Sequence, residues 1–185
     1  IILAIVAWMC SFCLLGKGKK ITIGWESFPR TLDPRVATDA DSQYLADLVH
    51  CSLFKFDHKG KLVADLVKTW KWLGNKKIKV NLRDDIKFAN GGPVRAEHVK
   101  RTYMSLLNIK NAKLFPKAYG FTNLKSVTVK GSSIIFELKK PDAAFLYDNL
   151  SIGVLPPEHD FSKVLTLEKS FKGCGHFTFE SSSPS

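Results

Sequence analysis

The groups with which this 185-residue chain could do chemistry are five histidines, four cysteines and 17 acidic residues. His50, His58, His98, His159 and His176 show no metal-ligand spacing. Glu97-His98 and Glu158-His159 lack the second histidine, one helical turn away, that a zinc-binding helix uses. They read as ordinary surface or turn histidines. Neither a Gly-x-Ser-x-Gly elbow nor a Ser/His/Asp set stands out, and the adjacent Asp84-Asp85 reads as a turn rather than a catalytic dyad. Gly16-Lys17-Gly18-Lys19-Lys20 and Asn90-Gly91-Gly92 lack the Gly-x-x-x-x-Gly-Lys-Ser/Thr spacing of a phosphate loop. No catalytic residue, metal ligand or cofactor is expected, and no enzyme activity is expected.

The net charge is +11, but only five of the 28 basic residues are arginines: Arg30, Arg35, Arg83, Arg95 and Arg101. Nucleic-acid readers favour arginine for bidentate contacts, and here lysines are spread along the chain without a dense block. A solvated, lysine-rich surface is the reading preferred, with attraction to an anionic membrane surface or an acidic ligand as the alternative. No nucleic-acid partner is expected.

The elements that must position any site follow from hydrophobic spacing. Ile1 to Gly16 carries no charge and is followed by Lys17, Lys19 and Lys20. That pattern is a secretory signal, with an uncleaved membrane anchor as second reading. Cys10 and Cys13 do not follow the small residues that a lipid-bearing cysteine prefers. Residues 1–20 are therefore set apart, and the remainder is expected outside the cytoplasm. The chain starts without Met and ends in Ser-Ser-Ser-Pro-Ser, and both ends are expected to be cut. Ile21, Ile23 and Trp25 alternate as a strand. Asp41 to Phe54 has helical spacing, with Asp39 or Asp41 as cap. Lys68 to Leu73 and Lys76 to Leu82 form a hairpin that buries Ile78, Val80 and Leu82. Arg95 to Leu107 is a helix that buries Ala96, Val99, Tyr103, Leu106 and Leu107. Val127–Val129 and Ile134–Leu138 form a second hairpin, Ala143 to Leu150 a short helix, and Phe177 and Phe179 a final strand. The fold class is α+β, a mixed chain richer in hairpins than in βαβ units.

In order along the chain, several of these segments resemble the extracytoplasmic solute-binding proteins of ABC importers, of the peptide-, dipeptide- and nickel-binding type. Thr31-Leu32-Asp33-Pro34 matches the family's opening turn. Ser52 to Asp57 and the stretch from Val63 to Trp70 match more loosely. Val80 to Val94, with Leu82-Arg83, Phe88, Gly91 and Pro93, is the most specific stretch. Gly173-Cys174-Gly175-His176-Phe177 resembles the family's Gly-x-Gly-Pro-Tyr turn. Arg95 and His98 depart from the Thr and Asp of the family's capping box. That change is expected to cost on the order of 1 kcal/mol, with Glu97 compensating in part.

The resemblance implies a periplasmic-binding-protein-like fold, here partial. Residues 21–58 would start lobe one, 59–160 would form an inserted hairpin-rich subdomain, and 161–185 would return to lobe one. The second lobe would be missing. It implies a receptor that closes its lobes on a peptide or similar small solute and presents it to the membrane subunits of an importer. A monomer is expected, touching the membrane only through its N-terminal segment. A nickel or other solute of the same family, or a vestigial fragment without transport function, is the alternative. Ligand contacts are expected from Ala37, Thr38, Asp39 and Ala40, and from Phe115. Cys51 and Cys174 fall in lobe-one segments and are read as buried free thiols, with a disulfide as the lesser alternative.

Overall fold

The computed structural model describes residues 27–107, 113–167 and 170–181. Helix α1 (Ala40–Val49) leads into a short hairpin of β1 (Phe54–Phe56) and β2 (Leu62–Ala64). Then come β3 (Val67–Trp72), β4 (Lys77–Leu82), α2 (Ala96–Leu107), a 3₁₀ turn (Pro116–Phe121), β5 (Leu124–Lys130), β6 (Ser133–Leu138) and α3 (Phe145–Asn149). The last four strands make one antiparallel sheet in the order β3-β4-β6-β5.

Period-two alternation sets the sheet's two faces. Ile78, Val80 and Leu82 of β4 and Ile134, Phe136 and Leu138 of β6 are all buried. Register pairs Ile78 with Phe136 and Val80 with Ile134, so the apolar sets share one face. Onto that face α2 lays Ala96, Val99, Tyr103 and Leu106, spaced at the helical repeat. The Tyr103 ring meets Phe136 at 5.1 Å and Phe121 at 5.6 Å, both edge-on. Burying each such side chain stabilises by about 1.5–3 kcal/mol, which fixes the helix against the sheet. Leu107, expected with that set, is only half-buried.

Three expectations need correcting. The helix expected from Asp41 to Phe54 stops at Val49, because His50 turns extended (φ −107°, ψ 153°) and Phe54 enters β1. Its apolar spacing continues past the helix because Leu53, in a bend, and Phe54, the first residue of β1, are also buried. The last helix is confined to Phe145–Asn149. Phe177 and Phe179 do not form a regular strand: Phe179 makes a single bridge to Phe171, and Phe177 is exposed. The segments Ile1 to Gly16 and Ile21 to Trp25 lie outside the described residues, and no helix among those described is long and apolar enough to cross a membrane.

Among the described residues the interior has two apolar clusters. The larger lies under the four-stranded sheet and takes in Leu53, Phe54, Phe115, Phe145 and Val154. The smaller joins Leu32, Leu45, Val49, Leu155 and Phe171. The chain segments around Thr31–Arg35 and Gly173–Gly175 hold the two together.

Candidate functional site

The Thr-Leu-Asp-Pro turn is a clasp. Leu32 and Asp33 are fully buried, and the Asp33 carbonyl accepts from the backbone N–H of both Val36 and Ala37 at 3.0 Å. The Asp33 N–H donates to Thr31 Oγ1 at 3.0 Å, and the Thr31 hydroxyl donates to the carbonyl of Leu165. Pro34 is buried beside them and fixes the turn. Asp33 then meets Arg35 in a two-pronged pair: Arg35 Nε to Oδ1 at 2.9 Å and Nη2 to Oδ2 at 2.7 Å, with both side chains wholly buried. Arg35 also donates to Ser105 Oγ, to the carbonyls of Phe161 and Lys163, and to His159 Nε2. A guanidinium only donates, so His159 accepts. Burial, and next the charge of Arg35, holds the His159 pKa below its ordinary value. Burial alone would raise the Asp33 pKa; the hydrogen bond and charge of Arg35, with the N–H groups of Leu165 and Arg35, bring it below the usual carboxylate range.

The expected ligand segment lies just past this clasp. Ala37 is buried, Thr38 and Ala40 are exposed, and Asp39 is half-exposed. Asp39 caps α1, its Oδ1 accepting the Ser42 N–H at 2.9 Å. Phe115 is fully buried, with the Arg35 guanidinium 4.0 Å from its ring centroid. Arg35 thereby joins the two expected ligand segments, and its carbonyl accepts from Lys117 N.

The glycines of the Gly173–Gly175 turn are explained by space. A Cβ at Gly173 would overlap the Val49 carbonyl oxygen, and one at Gly175 would lie 2.8 Å from the His50 nitrogen. The segment runs this close because Gly175 N donates to Val49 O at 2.9 Å and Phe177 N to Leu48 O at 3.1 Å. Between these glycines, Cys174 is disulfide-bonded to Cys51, with the Cα atoms 5.1 Å apart. This corrects the free-thiol reading: 123 residues separate the pair in sequence, and only the fold brings them together.

Above the disulfide lies a cleft of about 510 Å³. Its walls include Gln43 and Asp47 of α1, Lys55 of β1, Asp65, Asp85, Lys87, the disulfide and His176. Lys55 pairs with Asp65 at 3.0 Å. Asp47 accepts from Gln43 Nε2 at 2.7 Å, and burial raises its pKa. Lys117, which donates to Gln43 Oε1, has its pKa lowered by burial. Asp47, Asp65 and Asp85 thus line the cleft together with Lys55 and Lys87, so it carries charges of both signs. Among the described residues no group of three or more His, Cys, Asp or Glu is placed to hold a metal.

The family-motif residues outside the clasp serve the fold. Leu82 and Phe88 are buried. Exposed Arg83 pairs with Asp85 at 2.6 Å. Gly91 turns with φ +86°, a conformation that favours glycine, while Asn90 Oδ1 accepts the Gly92 N–H. Pro93 bridges to Lys87. Trp70 is 45% exposed, and its ring meets Phe54 edge-on.

Two histidines correct the surface reading. His50 is buried, with Nε2 2.8 Å from the Leu32 carbonyl and Nδ1 3.3 Å from that of Val154; burial depresses its pKa. His98 accepts the Arg95 N–H on Nδ1 at 3.0 Å. It stands at the third helical position of α2, so the reciprocal half of the capping box survives with imidazole in place of carboxylate. Sequence reasoning also passed over Arg35, whose only signal was an arginine two residues after a buried-turn aspartate.

Residues 61–185 match the family described as bacterial extracellular solute-binding proteins, family 5 Middle. The probable D,D-dipeptide-binding periplasmic protein DdpA of Escherichia coli K12 is 33% identical over 135 residues, covering 69% of this chain and 25% of the relative. Among solved structures, NikZ from Campylobacter jejuni in complex with Ni(L-His) is similar with a TM-score of 0.67 at 29% identity, over 80% of this chain and 30% of that one. The oligopeptide-binding protein AppA from Bacillus subtilis in complex with a nonapeptide gives 0.63 at 29% identity, over 73% and 26%. The chain therefore spans about a quarter to a third of the length of these relatives. By this match over residues 61–185 and by its likeness to DdpA, this chain belongs to the family 5 extracellular solute-binding proteins.

Proposed function

We propose that the chain forms part of the extracytoplasmic receptor of an ABC importer, capturing a peptide or similar small solute by lobe closure and handing it to the importer's membrane subunits. The observation that carries this reading is the cleft above the Cys51–Cys174 disulfide, lined by carboxylates and ammonium groups together. A zwitterionic solute presents both charges, and side chains of both signs in the cleft can make charge-assisted hydrogen bonds to each. Helix α1, capped by Asp39, supplies Gln43 and Asp47 to that cleft. Thr38, Asp39 and Ala40, at the start of the same helix but outside the cleft's lining, are further contacts we assign; Phe115 would act through Arg35. Residues 21–58 and 161–185 would belong to lobe one and 59–160 to the inserted subdomain, with the opposing lobe supplied by polypeptide beyond this span. Closure then follows from ligand contacts that favour one arrangement of two lobes. The first 20 residues would direct export or tether the protein.

Thermal unfolding of the full-length protein with a pool of di- to pentapeptides tests this. A ligand at 100 times its Kd adds about 2.7 kcal/mol of stability, so a clear upward shift is expected. The absence of a shift with any peptide pool would overturn the peptide reading.

A further inference from the structure

We propose that the open face of the four-stranded sheet is a docking surface for an anionic lipid bilayer. The face opposite α2 is not apolar. Its cross-strand rows read Lys77–Glu137–Ser126, Lys71–Lys79–Ile135–Thr128 and Thr69–Asn81–Ser133–Lys130. Asn81 donates to Thr69 Oγ1 at 2.7 Å and accepts from Ser133 Oγ at 2.6 Å, which confirms that these side chains share a face. Lys125, at an irregularity in β5, reaches the same face through Glu137 at 2.9 Å.

This face therefore carries Lys71, Lys77, Lys79, Lys125 and Lys130 against one acid, Glu137. That acid is already shared between Lys77 and Lys125. Lys71, Lys79 and Lys130 have no ion-pair partner among the described residues. Lys71 and Lys79 stand directly opposite one another, an arrangement that destabilises a sheet. Protection of edge strands by lysine explains Lys71, Lys125 and Lys130 on β3 and β5. It does not explain Lys79, which is on a central strand.

The chemistry selects the occupant. All five cations are lysines, point charges on flexible stems, not the planar forks that read defined acidic groups on a protein. Two large apolar side chains stand on the face: Ile135, half-buried, and at its end Leu73, 37% exposed, whose N–H donates to the Lys77 carbonyl. Protein interfaces need buried aromatic or arginine anchors. A diffuse layer of anionic headgroups needs only charge. Retained as an uncleaved anchor, the uncharged run from Ile1 to Gly16 with its trailing lysines would add a second affinity for the same surface.

The test is partition of the full chain onto vesicles of phosphatidylcholine alone or with 30% phosphatidylglycerol, at low and physiological salt. Each basic group near an anionic leaflet contributes about five-fold. The variant K71Q/K79Q/K130Q should lose about 100-fold in partition onto the anionic vesicles, and the loss should shrink as salt rises. Its partition onto neutral vesicles, set by the apolar N-terminal run, should stay unchanged. K59Q/K61Q/K172Q, with the same net charge, is the control and should lose far less. Equal losses in the two triples, or no loss in the first, overturn the proposal. The second of these outcomes leaves the face to an acidic protein partner or to water.

Discussion

Arg35 shows how much rests on one side chain. Its charge is fully buried and is balanced by Asp33, while its remaining N–H groups satisfy carbonyls of Phe161 and Lys163 some 130 residues away in sequence. Removing one partner of such a pair leaves an uncompensated buried charge. Arg35→Met is therefore expected to cost about 3–5 kcal/mol, and Arg35→Met with Asp33→Asn less than the single change. Urea unfolding measures this, and a loss below about 1 kcal/mol would refute the clasp. The linkage has a defined sign. The folded pKa of Asp33 lies below its usual 3.8, so its contribution is complete above that pH and is lost as pH falls through the folded value. Sequence reading found the Thr-Leu-Asp-Pro turn but not its purpose, because Asp33 and Arg35 act on a segment that lies far along the chain.

At the scale of elements, the start of α2 combines a loss and a substitution. Arg95 offers no side-chain acceptor, and His98 returns the other half of the cap. An imidazole Nδ1 accepts only while unprotonated. Burial, then the charges of Arg101 and Arg95, hold the His98 pKa below 6.5. The cap is thus complete above pH 6.5 and is lost as the pH falls from 6.5 through the folded value. His98→Asp should stabilise the protein by about 0.5–1 kcal/mol at pH 5 and by less at pH 7.5. Equal gains at both pH values would refute the acceptor role of Nδ1. The strands and α2 were legible because alternation and helical spacing are local patterns. The early end of α1 was not, since Leu53, in a bend, and Phe54, in β1, keep the apolar spacing past the helix end.

At the scale of the molecule, the disulfide fixes the Gly173–Gly175 turn to the chain just past the end of α1. It closes a loop between residues 123 apart, and removing such a link costs about 2–4 kcal/mol. Cys51→Ala with Cys174→Ala should lower the Tm of the unit that carries it by roughly 5–15 °C. An unchanged Tm in calorimetry would show that Gly173 and Gly175 dock without it.

The sequence by itself determined the mixed α+β class, the two hairpins, the amphipathic helix α2 and the family, because each is written in residue types at fixed short spacings. The tertiary structure alone decided that Cys51 bonds Cys174, that Asp33 and Arg35 clasp residues 161–165, that His50 is buried, and that five lysines converge on one sheet face. Those facts depend on which distant backbones approach closely enough to exclude water or share a face, and that proximity is set by the packing of the whole core.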